Sequence, residues 1–179
     1  MYNSYKVDQS DAVQAMESLK DDVLPKLLSG KIHTIENQDN NVLVLFDQKS
    51  GIDYVREDTQ GLQGMAARVQ WVADRTPYNS FTIRTERHTG AKTEYEKRQE
   101  AIHAGYFYPA FTLQAYFDYR GVNNLKSVAI MKTIDLYDFI DKNPNKVHRN
   151  RSDNKFIYIL WQDITCEIKT IIHQESEVA

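Results

Sequence analysis

The chain has 179 residues, of which 41% are apolar and 26% charged, and this balance suits a soluble globular protein rather than a disordered or fibrous one. Its 22 basic and 25 acidic residues give a formal net charge of −3, which excludes a strongly basic nucleic-acid coat protein and an acidic tail but leaves a local basic patch open. The single cysteine, Cys166, excludes an internal disulfide and a thiolate zinc site.

Two features of the sequence bear on its location. Residues 1–20 lack the apolar core of a signal peptide, and no apolar run reaches the ~18 residues that a membrane-spanning helix needs. We therefore expect a cytoplasmic protein that does not bind a membrane.

The first predicted element is a helix over residues 12–28. Apolar residues recur there at intervals of three and four, and Gly30 is a typical stop signal just beyond the helix. Pro25 lies inside the pattern and is expected to kink or split the helix near Leu24, because proline cannot donate a backbone hydrogen bond.

A strand-rich block follows the helix. Short apolar runs alternate with polar and glycine-containing segments, which is typical of strands joined by turns. The predicted strands are 41–46, 52–55, 65–72 and 80–87, with loops at 47–51, 59–64 and 74–79. Together these runs predict a meander of three or four antiparallel strands.

The second half of the chain mixes helices and strands. Thr93 and Glu96 form a capping-box pattern that predicts a helix over 93–104, ended by Gly105. A second, short helix is predicted over 133–140 with Thr133 as its cap. Further strands are predicted at 111–117, 127–131 and 156–161. The predicted fold is a single α/β (α+β) domain over residues 1–179, with a mixed central sheet of roughly five to seven strands flanked by helices.

The strand predictions also identify a core. The side chains on the apolar faces of the predicted strands should be buried. They are Val44, Phe46, Ile52, Val69, Phe81, Ile83, Leu113, Ala115, Ile130, Ile157 and Ile159.

The first candidate for chemistry is Asp53. This aspartate follows a turn at Gly51 and lies at the start of a strand, between apolar neighbours. Burying a carboxylate there is costly unless a partner meets it. Two interpretations are open: a hydrogen-bonded turn aspartate, or a ligand for Mg²⁺, which proteins hold through one or two carboxylates.

The next predicted strand carries polar side chains on one face. Arg68, Gln70 and Val72 share that face by the period of two. The face is either the solvent side of an antiparallel sheet or a surface that converges with Asp53 on a site.

Charged residues continue on the strand and the helix that follow. Arg84, Glu86 and His88 alternate onto one face of strand 80–87. They form either an exposed cross-strand ion pair or a second acidic ligand, Glu86, beside a phosphate contact, Arg84. Lys97 and Arg98 on the next helix extend this region as a face that binds a nucleic-acid backbone. The alternative is a solvated helix on which these cations form ion pairs with its glutamates.

The most basic stretch of the chain is 142–155. It includes Lys146, Arg149 and Arg151 and is predicted to be a loop before the strand at 156–161. Such a loop is either merely solvated or forms an electrostatic lip that attracts a phosphate backbone.

The residues around Asp53 resemble a known superfamily. Within 12–117, a helix is followed by a strand with Gly-Ile-Asp, a strand with Gln, a second helix and a strand, which resembles the PD-(D/E)XK nuclease-like superfamily. The resemblance implies a restriction-endonuclease-like fold. It also implies that Asp53 is the metal-binding aspartate, Gln70 the Glu or Gln of the second motif, and Glu17 the carboxylate of the first helix.

One position departs from the pattern of that superfamily. The lysine expected two residues after Gln70 is Val72 in this chain. The resemblance then implies that Arg68 or Arg84 supplies the positive charge. Because arginine keeps its proton, either residue could stabilise charge but could not shuttle a proton.

Two functions stay open from the sequence. The first is an Mg²⁺-dependent endonuclease or nuclease-like domain acting on DNA phosphodiester bonds, with Asp53 and Gln70 or Glu86 as ligands of a metal that activates water. The second is a non-catalytic interaction protein, such as a phage or mobile-element accessory factor, that binds a partner protein or a second copy of itself. No histidine pair, phosphate-binding glycine loop or serine-hydrolase motif points to another chemistry.

Overall fold

The chain forms two β-sheets, with helices on both sides of the larger one, in a computed structural model that describes residues 3–35, 49–87, 89–121, 124–149 and 155–172. The helices are α1 (Asn3–Ser18), α2 (Leu24–Leu27), α3 (Glu94–Ala104) and α4 (Thr133–Lys142). The strands are β1 (Lys31–Thr34), β2 (Tyr54–Asp58), β3 (Gly61–Trp71), β4 (Ser80–Arg84), β5 (Pro109–Phe117), β6 (Leu125–Lys132), β7 (His148–Arg149), β8 (Phe156–Leu160) and β9 (Ile168–Ile172). The predicted α/β class is confirmed, while the predicted strand 41–46 lies outside the described residues. None of the described helices is both long and apolar enough to cross a membrane.

The N-terminal helix is interrupted just before its proline. A π-helical turn, Leu19–Val23, separates α1 from α2, and Pro25 occupies the first turn of α2. The proline ring would clash with the carbonyl group four residues earlier, and the wider turn before it relieves that clash. The predicted break at Pro25 is therefore confirmed. The helix begins earlier than predicted, at Asn3, because its first residues are polar and carry no apolar period.

The larger sheet has six strands in the order β1-β2-β3-β5-β6-β9. β1, β2 and β3 form an antiparallel meander, β3 pairs with β5 in parallel, and β5, β6 and β9 are antiparallel. A parallel pair needs a long crossover, and here the chain between β3 and β5 contains β4 and α3. The predicted meander is thus correct for the antiparallel pairing of its strands 52–55 and 65–72, observed as β2 and β3, and wrong for β4, which joins the smaller sheet. The strand β1 was not predicted.

The smaller sheet has the order β4-β8-β7, and the free edge of β4 lies against side chains of β5. The backbone N–H of Ser80 donates to the hydroxyl of Tyr116 at 3.3 Å, and that hydroxyl donates to the Ser80 carbonyl at 3.0 Å. The backbone N–H of Thr82 donates to Oε1 of Gln114 at 3.3 Å. An unpaired strand edge is an open set of donors and acceptors, and these two side chains satisfy part of it.

The segment 59–64, predicted as a loop because of its two glycines, is mostly strand. A tight turn at Thr59 and Gln60 leads directly into β3. Gly64 has a packing role, since a Cβ atom there would lie 2.9 Å from Cδ1 of Ile52. The glycine thus marks a close approach of two segments rather than a break in the strand.

The capping box on α3 is confirmed. Thr93 is the N-cap residue: its hydroxyl accepts from the N–H of Glu96 at 3.3 Å, and the Glu96 carboxylate accepts from the N–H of Thr93 at 2.8 Å. Gly105 ends the helix in the left-handed conformation, with φ of 67°. The sequence signals for this helix are local, so tertiary contacts did not alter them.

Two predictions in the second half were wrong in detail. Thr133 does not cap α4, because Lys132 occupies the N-cap position and the Thr133 hydroxyl is instead 2.9 Å from the hydroxyl of Thr112. The strand β9 was not predicted at all. It lies at the edge of the larger sheet with mostly exposed or half-buried side chains, so its sequence lacks a clear apolar alternation.

Two cores lie on opposite faces of the larger sheet. One packs α1 and α2 against side chains that include Tyr54, Met65 and Leu113. The other packs α4, β4 and β8 against Tyr116 and Ala129. Most of the predicted core is confirmed as buried: Ile52, Phe81, Ile83, Leu113, Ala115, Ile130, Ile157 and Ile159. Val69 is only partly buried, and Val44 and Phe46 lie outside the described residues.

Leu113 tests the central position of β5. Leu113→Ala should lower the free energy of unfolding by roughly 2–5 kcal/mol, because the side chain is 1% exposed and its removal leaves a cavity. Leu62→Ala is the matched control: Leu62 is 63% exposed, so the change should stay within about 0.5 kcal/mol. Urea denaturation measures both values, and equal values for the two variants would contradict the central position of β5.

Candidate functional site

A cleft opens between the two sheets, where β3 extends beyond the end of β2. The pairing of β2 with β3 stops at Tyr54 and Met65, while β3 continues along β5 to Trp71. The cleft has a volume of about 800 Å³. It is lined by Arg68, Val69, Gln70, Trp71, Val72, Arg75, Thr76, Tyr78, Ser80, Thr82, Tyr116, Arg120, Arg149, Phe156 and Tyr158.

The polar face of β3 forms one wall of this cleft. Arg68, Gln70 and Val72 all line it, as their shared face predicted. The face is not the solvent side of the sheet, because the smaller sheet stands opposite and its Phe156 ring lies 4.6 Å from the Arg68 guanidinium carbon. Polar side chains on a covered face need partners or a ligand.

Arg68 is the most desolvated cation of the cleft wall. Burial, followed by repulsion from Arg84, lowers the pKa of Arg68 to about 10. Its Nε atom is buried and has no hydrogen-bond partner within the described part of the chain. The guanidinium therefore stays charged at neutral pH and has unused hydrogen-bond capacity.

The mouth of the cleft combines further arginines with aromatic rings. Arg75, Arg120 and Arg149 are exposed there, and the Arg120 guanidinium carbon lies 4.8 Å from the Trp71 ring centre. Tyr78, at 71% exposure, stands beside them. Among the residues that the structure describes, no aspartate and no glutamate lines the cleft. The cleft is thus positively charged, with aromatic surfaces in its walls.

Asp53 lies at the point where β2 and β3 separate, which we call the fork. Its carboxylate accepts from the backbone N–H of Ala67 at 2.7 Å, and its own N–H donates to the Met65 carbonyl at 2.9 Å. It does not line the cleft. Gln70 lies three residues beyond Ala67, which corresponds to ~10 Å along a strand at about 3.3 Å per residue. The structure therefore places Asp53 as a hydrogen-bonded aspartate and does not bring it together with Gln70.

The other two predicted metal ligands are also apart from the cleft. The carboxylate of Glu17 accepts from Lys20 and, at 3.2 Å, from the hydroxyl of Thr34, and the hydrogen bond from Lys20 lowers its pKa. Glu86 is exposed and lies beyond β4, which ends at Arg84 rather than at residue 87. Among the residues that the structure describes, no three His, Cys, Asp or Glu side chains form a group that could hold a metal. Metal binding by Asp53, Gln70, Glu86 and Glu17 therefore stays a prediction that this geometry does not support.

The predicted nucleic-acid contacts divide into two sets. Arg149 lines the cleft, and the Arg84 guanidinium carbon lies 5.0 Å from the Phe156 ring centre at its border. Arg98 is only 8% exposed and its Nη2 donates to the Gly51 carbonyl at 3.3 Å, so it does not form an exposed backbone-binding face. Lys97 is half-buried on α3 and is not part of the cleft lining.

The remaining predicted contacts belong to the basic stretch 142–155. Lys146 donates to the Asp163 carbonyl at 3.2 Å, so part of its charge is used within the fold. Arg151 lies outside the described residues. The stretch is also not a single loop, because a short 3₁₀ helix and β7 occupy part of it.

A buried polar cluster adjoins the inner side of the cleft. Arg87 and Glu94 form an ion pair at 2.6 Å. Burial opposes ionisation of Glu94, but hydrogen bonds from its own backbone and from Arg87 outweigh it, so its pKa is lowered. Buried atoms of this cluster that lack a partner in the described ranges are Arg68 Nε, Arg87 Nε, Glu94 Oε2, Arg98 Nε and Tyr137 Oη.

Several cleft residues were missed by sequence reasoning. These residues come from three separate parts of the chain, and no sequence pattern connects those parts: Trp71, Arg75 and Tyr78 in the first, Arg120 in the second and Phe156 in the third. Only the alternation of β3 pointed to the cleft wall. The rest required the position of the smaller sheet.

Asp53 provides a test of the fork. Asp53→Ala removes the acceptor for the Ala67 N–H and should destabilise the fold by roughly 1–3 kcal/mol, whereas Asp53→Asn keeps an acceptor and should cost less. Urea denaturation of the two variants and the wild type provides the comparison. Equal stability of Asp53→Ala and the wild type would contradict the assigned role.

Glu94 provides a test by pH. Because its pKa is lowered in the fold, its stabilising effect is present above the ordinary value of 4.5 and is lost as the pH falls through the lowered value. The stability of the wild type should therefore fall more steeply than that of Glu94→Gln between about pH 5 and pH 3. Urea midpoints across this range measure the slopes, with Glu86→Gln as a control for the loss of one exposed carboxylate. Parallel slopes for Glu94→Gln and the wild type would count against the half-buried ion pair between Arg87 and Glu94.

The comparisons with known proteins leave the cleft as the basis for function. The chain matches no protein-family model, no curated protein and no solved structure. The charges and surfaces of the cleft are therefore the evidence for what it binds.

Proposed function

We propose that this chain binds a single strand of nucleic acid, with DNA as the first candidate, in the cleft between its two sheets. The observation that carries this proposal is the described lining itself, which contains Arg68, Arg75, Arg120 and Arg149 and no carboxylate from the described ranges. Arginine binds phosphate oxygens through a planar fork of donors. Four such groups around one cleft suit a ligand with several phosphates.

The aromatic walls favour a single strand over a duplex. Trp71, Tyr78 and Tyr158 line the cleft beside the arginines. Bases stack on aromatic side chains when they are unpaired, while a duplex hides their faces. A ligand with both phosphates and accessible base faces therefore uses both kinds of side chain in the cleft.

The charge of the whole chain shapes how such binding would behave. The net charge is −3, so attraction to nucleic acid depends on the cleft and not on the protein as a whole. Affinity should then fall as salt rises, with a slope of about −0.7 per phosphate contact for single strands. We keep the expected cytoplasmic location as part of the proposal.

The large sheet is consistent with the restriction-endonuclease-like fold, which we propose as its finer assignment. Support comes from its element order: α1, the antiparallel strands β1 to β3, α3, and then β5 parallel to β3. Asp53 stands at the start of β2, and Arg68 and Gln70 follow on β3. Metal-dependent cleavage stays a prediction of this resemblance. The described residues contain no group of three or more His, Cys, Asp or Glu side chains that could hold a metal.

Fluorescence anisotropy with a labelled oligodeoxynucleotide tests the proposal. The wild type should bind the single strand more tightly than the matching duplex, and the affinity should fall with salt. Arg68→Gln and Arg75→Gln should each weaken binding by about tenfold, the loss expected for one charge-assisted hydrogen bond. Lys26→Gln is the matched control, because it removes an exposed cation from α2, on the opposite side of the larger sheet.

The outcomes separate the open functions. Absence of salt-dependent binding, or cleft variants that bind as tightly as the wild type, would overturn the proposal. Tighter binding of polyglutamate than of the oligonucleotide would favour an acidic protein partner. Incubation of the same complexes with Mg²⁺ or Mn²⁺ measures cleavage, and loss of cleavage in Asp53→Asn, which keeps the hydrogen-bond acceptor, would favour the nuclease.

A further inference from the structure

Two arginines from different sheets lie against one aromatic ring at the inner border of the cleft. The guanidinium carbon of Arg68 on β3 is 4.6 Å from the Phe156 ring centre, and that of Arg84 on β4 is 5.0 Å from it. Arg84 and Phe156 are cross-strand partners in the smaller sheet. Neither arginine forms an ion pair with a carboxylate in the described part of the chain.

Within the described ranges, Glu94 is the one carboxylate that acts on the positive charge of Arg68. Arg84, Glu94, Arg98 and Tyr116 are the charged and titratable groups that act on Arg68. The only carboxylate among them, Glu94, is already paired with Arg87. Burying several cations beside one committed anion is unfavourable, and a bound anion would offset that cost.

Another buried arginine of the same fold shows what a purely structural role looks like. Arg56 is 8% exposed, and it contacts Asp58 at 2.7 Å and Gln63 at 2.6 Å. Arg68 has no such set of partners, and its Nε atom is left without an acceptor in the described ranges. Unlike Arg56, Arg68 therefore has hydrogen-bond capacity that the described part of the fold does not use.

The charge carried by a phosphate decides which kind of phosphate suits two neighbouring arginines. The helix α3 packs against β4 beside this pair, and its Glu94 and Arg98 influence the charge of Arg68. A terminal phosphate carries up to two negative charges, while an internal phosphodiester carries one.

We propose that Arg68 and Arg84 bind the terminal phosphate of the nucleic-acid strand, so that the protein recognises phosphorylated ends. This inference rests on the proposed function, because the remainder of the strand lies along the same cleft. Two guanidinium groups match a phosphate dianion in charge, and their N–H groups match its oxygens in geometry. The exposed arginines at the mouth, Arg75 and Arg149, then contact internal phosphates.

Matched oligodeoxynucleotides that differ only at their ends test the proposal. The wild type should bind the 5′-phosphorylated or the 3′-phosphorylated form about tenfold more tightly than the form with two hydroxyl ends. Arg84→Gln should bind all three forms equally, and Arg84→Lys should keep part of the preference because it keeps the charge. Arg75→Gln should weaken all three forms by the same factor. Thermal melting of each variant verifies that it is folded.

Lowering the pH provides a second readout. The second pKa of a phosphate monoester is about 6, so the preference should shrink between about pH 7.5 and pH 5.5 as the terminal phosphate loses one charge. Glu94 stays ionised over this range because its pKa is lowered. The inhibition constant of inorganic sulfate, which stays a dianion, should not change with pH. The inhibition constant of inorganic phosphate should rise as the pH falls.

The failures of the two proposals are distinguishable. If the wild type binds all three oligonucleotides equally and with salt dependence, the end-recognition proposal is overturned and strand binding stands. A preference that survives in Arg84→Gln would likewise overturn the assigned site. If no oligonucleotide binds, strand binding fails, and end recognition fails with it.

Discussion

The parallel pairing of β3 with β5 is the contact on which the rest of the structure depends. It places two central strands side by side over Met65–Trp71 and Phe111–Phe117. A parallel pair can be closed only by a long crossover, and this crossover contains β4 and α3. The connection that completes the larger sheet therefore also supplies the first strand of the smaller sheet and the helix beside it. The cleft follows from that connection.

The two faces of the larger sheet differ in polarity and in how completely they are covered. One face is apolar and is covered by α1 and α2. The other carries Arg68, Gln70, Gln114 and Tyr116 and is only partly covered by the smaller sheet. Tyr116 and the Oε1 atom of Gln114 satisfy part of the free edge of β4, while Gln114 Nε2 is buried without a partner in the described ranges. Arg68 differs from both residues because it carries a charge and lines the cleft without an ion-pair partner in the described part of the chain.

The hydrogen bonding of Asp53 bears on the kind of function that the cleft supports. A carboxylate at the start of β2 was open to two interpretations, and its bond to the Ala67 N–H supports the structural one. With that carboxylate at the fork, the described lining of the cleft contains cations and aromatic rings and no carboxylate. A lining of this kind attracts phosphate groups. The proposed binding of nucleic acid depends on this charge and not on Asp53.

Signals within single elements were sufficient for much of the fold and for part of the site. The apolar period and Pro25 predicted the interrupted first helix, Thr93 and Glu96 predicted the start of α3, and alternation placed Arg68 and Gln70 on one face. Each of these properties is decided by residues a few positions apart, so the sequence by itself determined them.

Only the tertiary structure decided which distant elements and side chains contact one another. The apolar pattern of β4 is equally compatible with a place in the meander or in a second sheet, and the choice depends on the crossover to β5. The carboxylate of Asp53 could have faced a metal or a backbone N–H, and the choice depends on where β2 separates from β3. Phe156 lies far from Arg68 in the sequence, yet the two side chains are in contact. Periodicity tells which face of an element is polar, but it cannot tell which distant element covers that face, because the covering contact is made between segments whose separation in the chain carries no pattern.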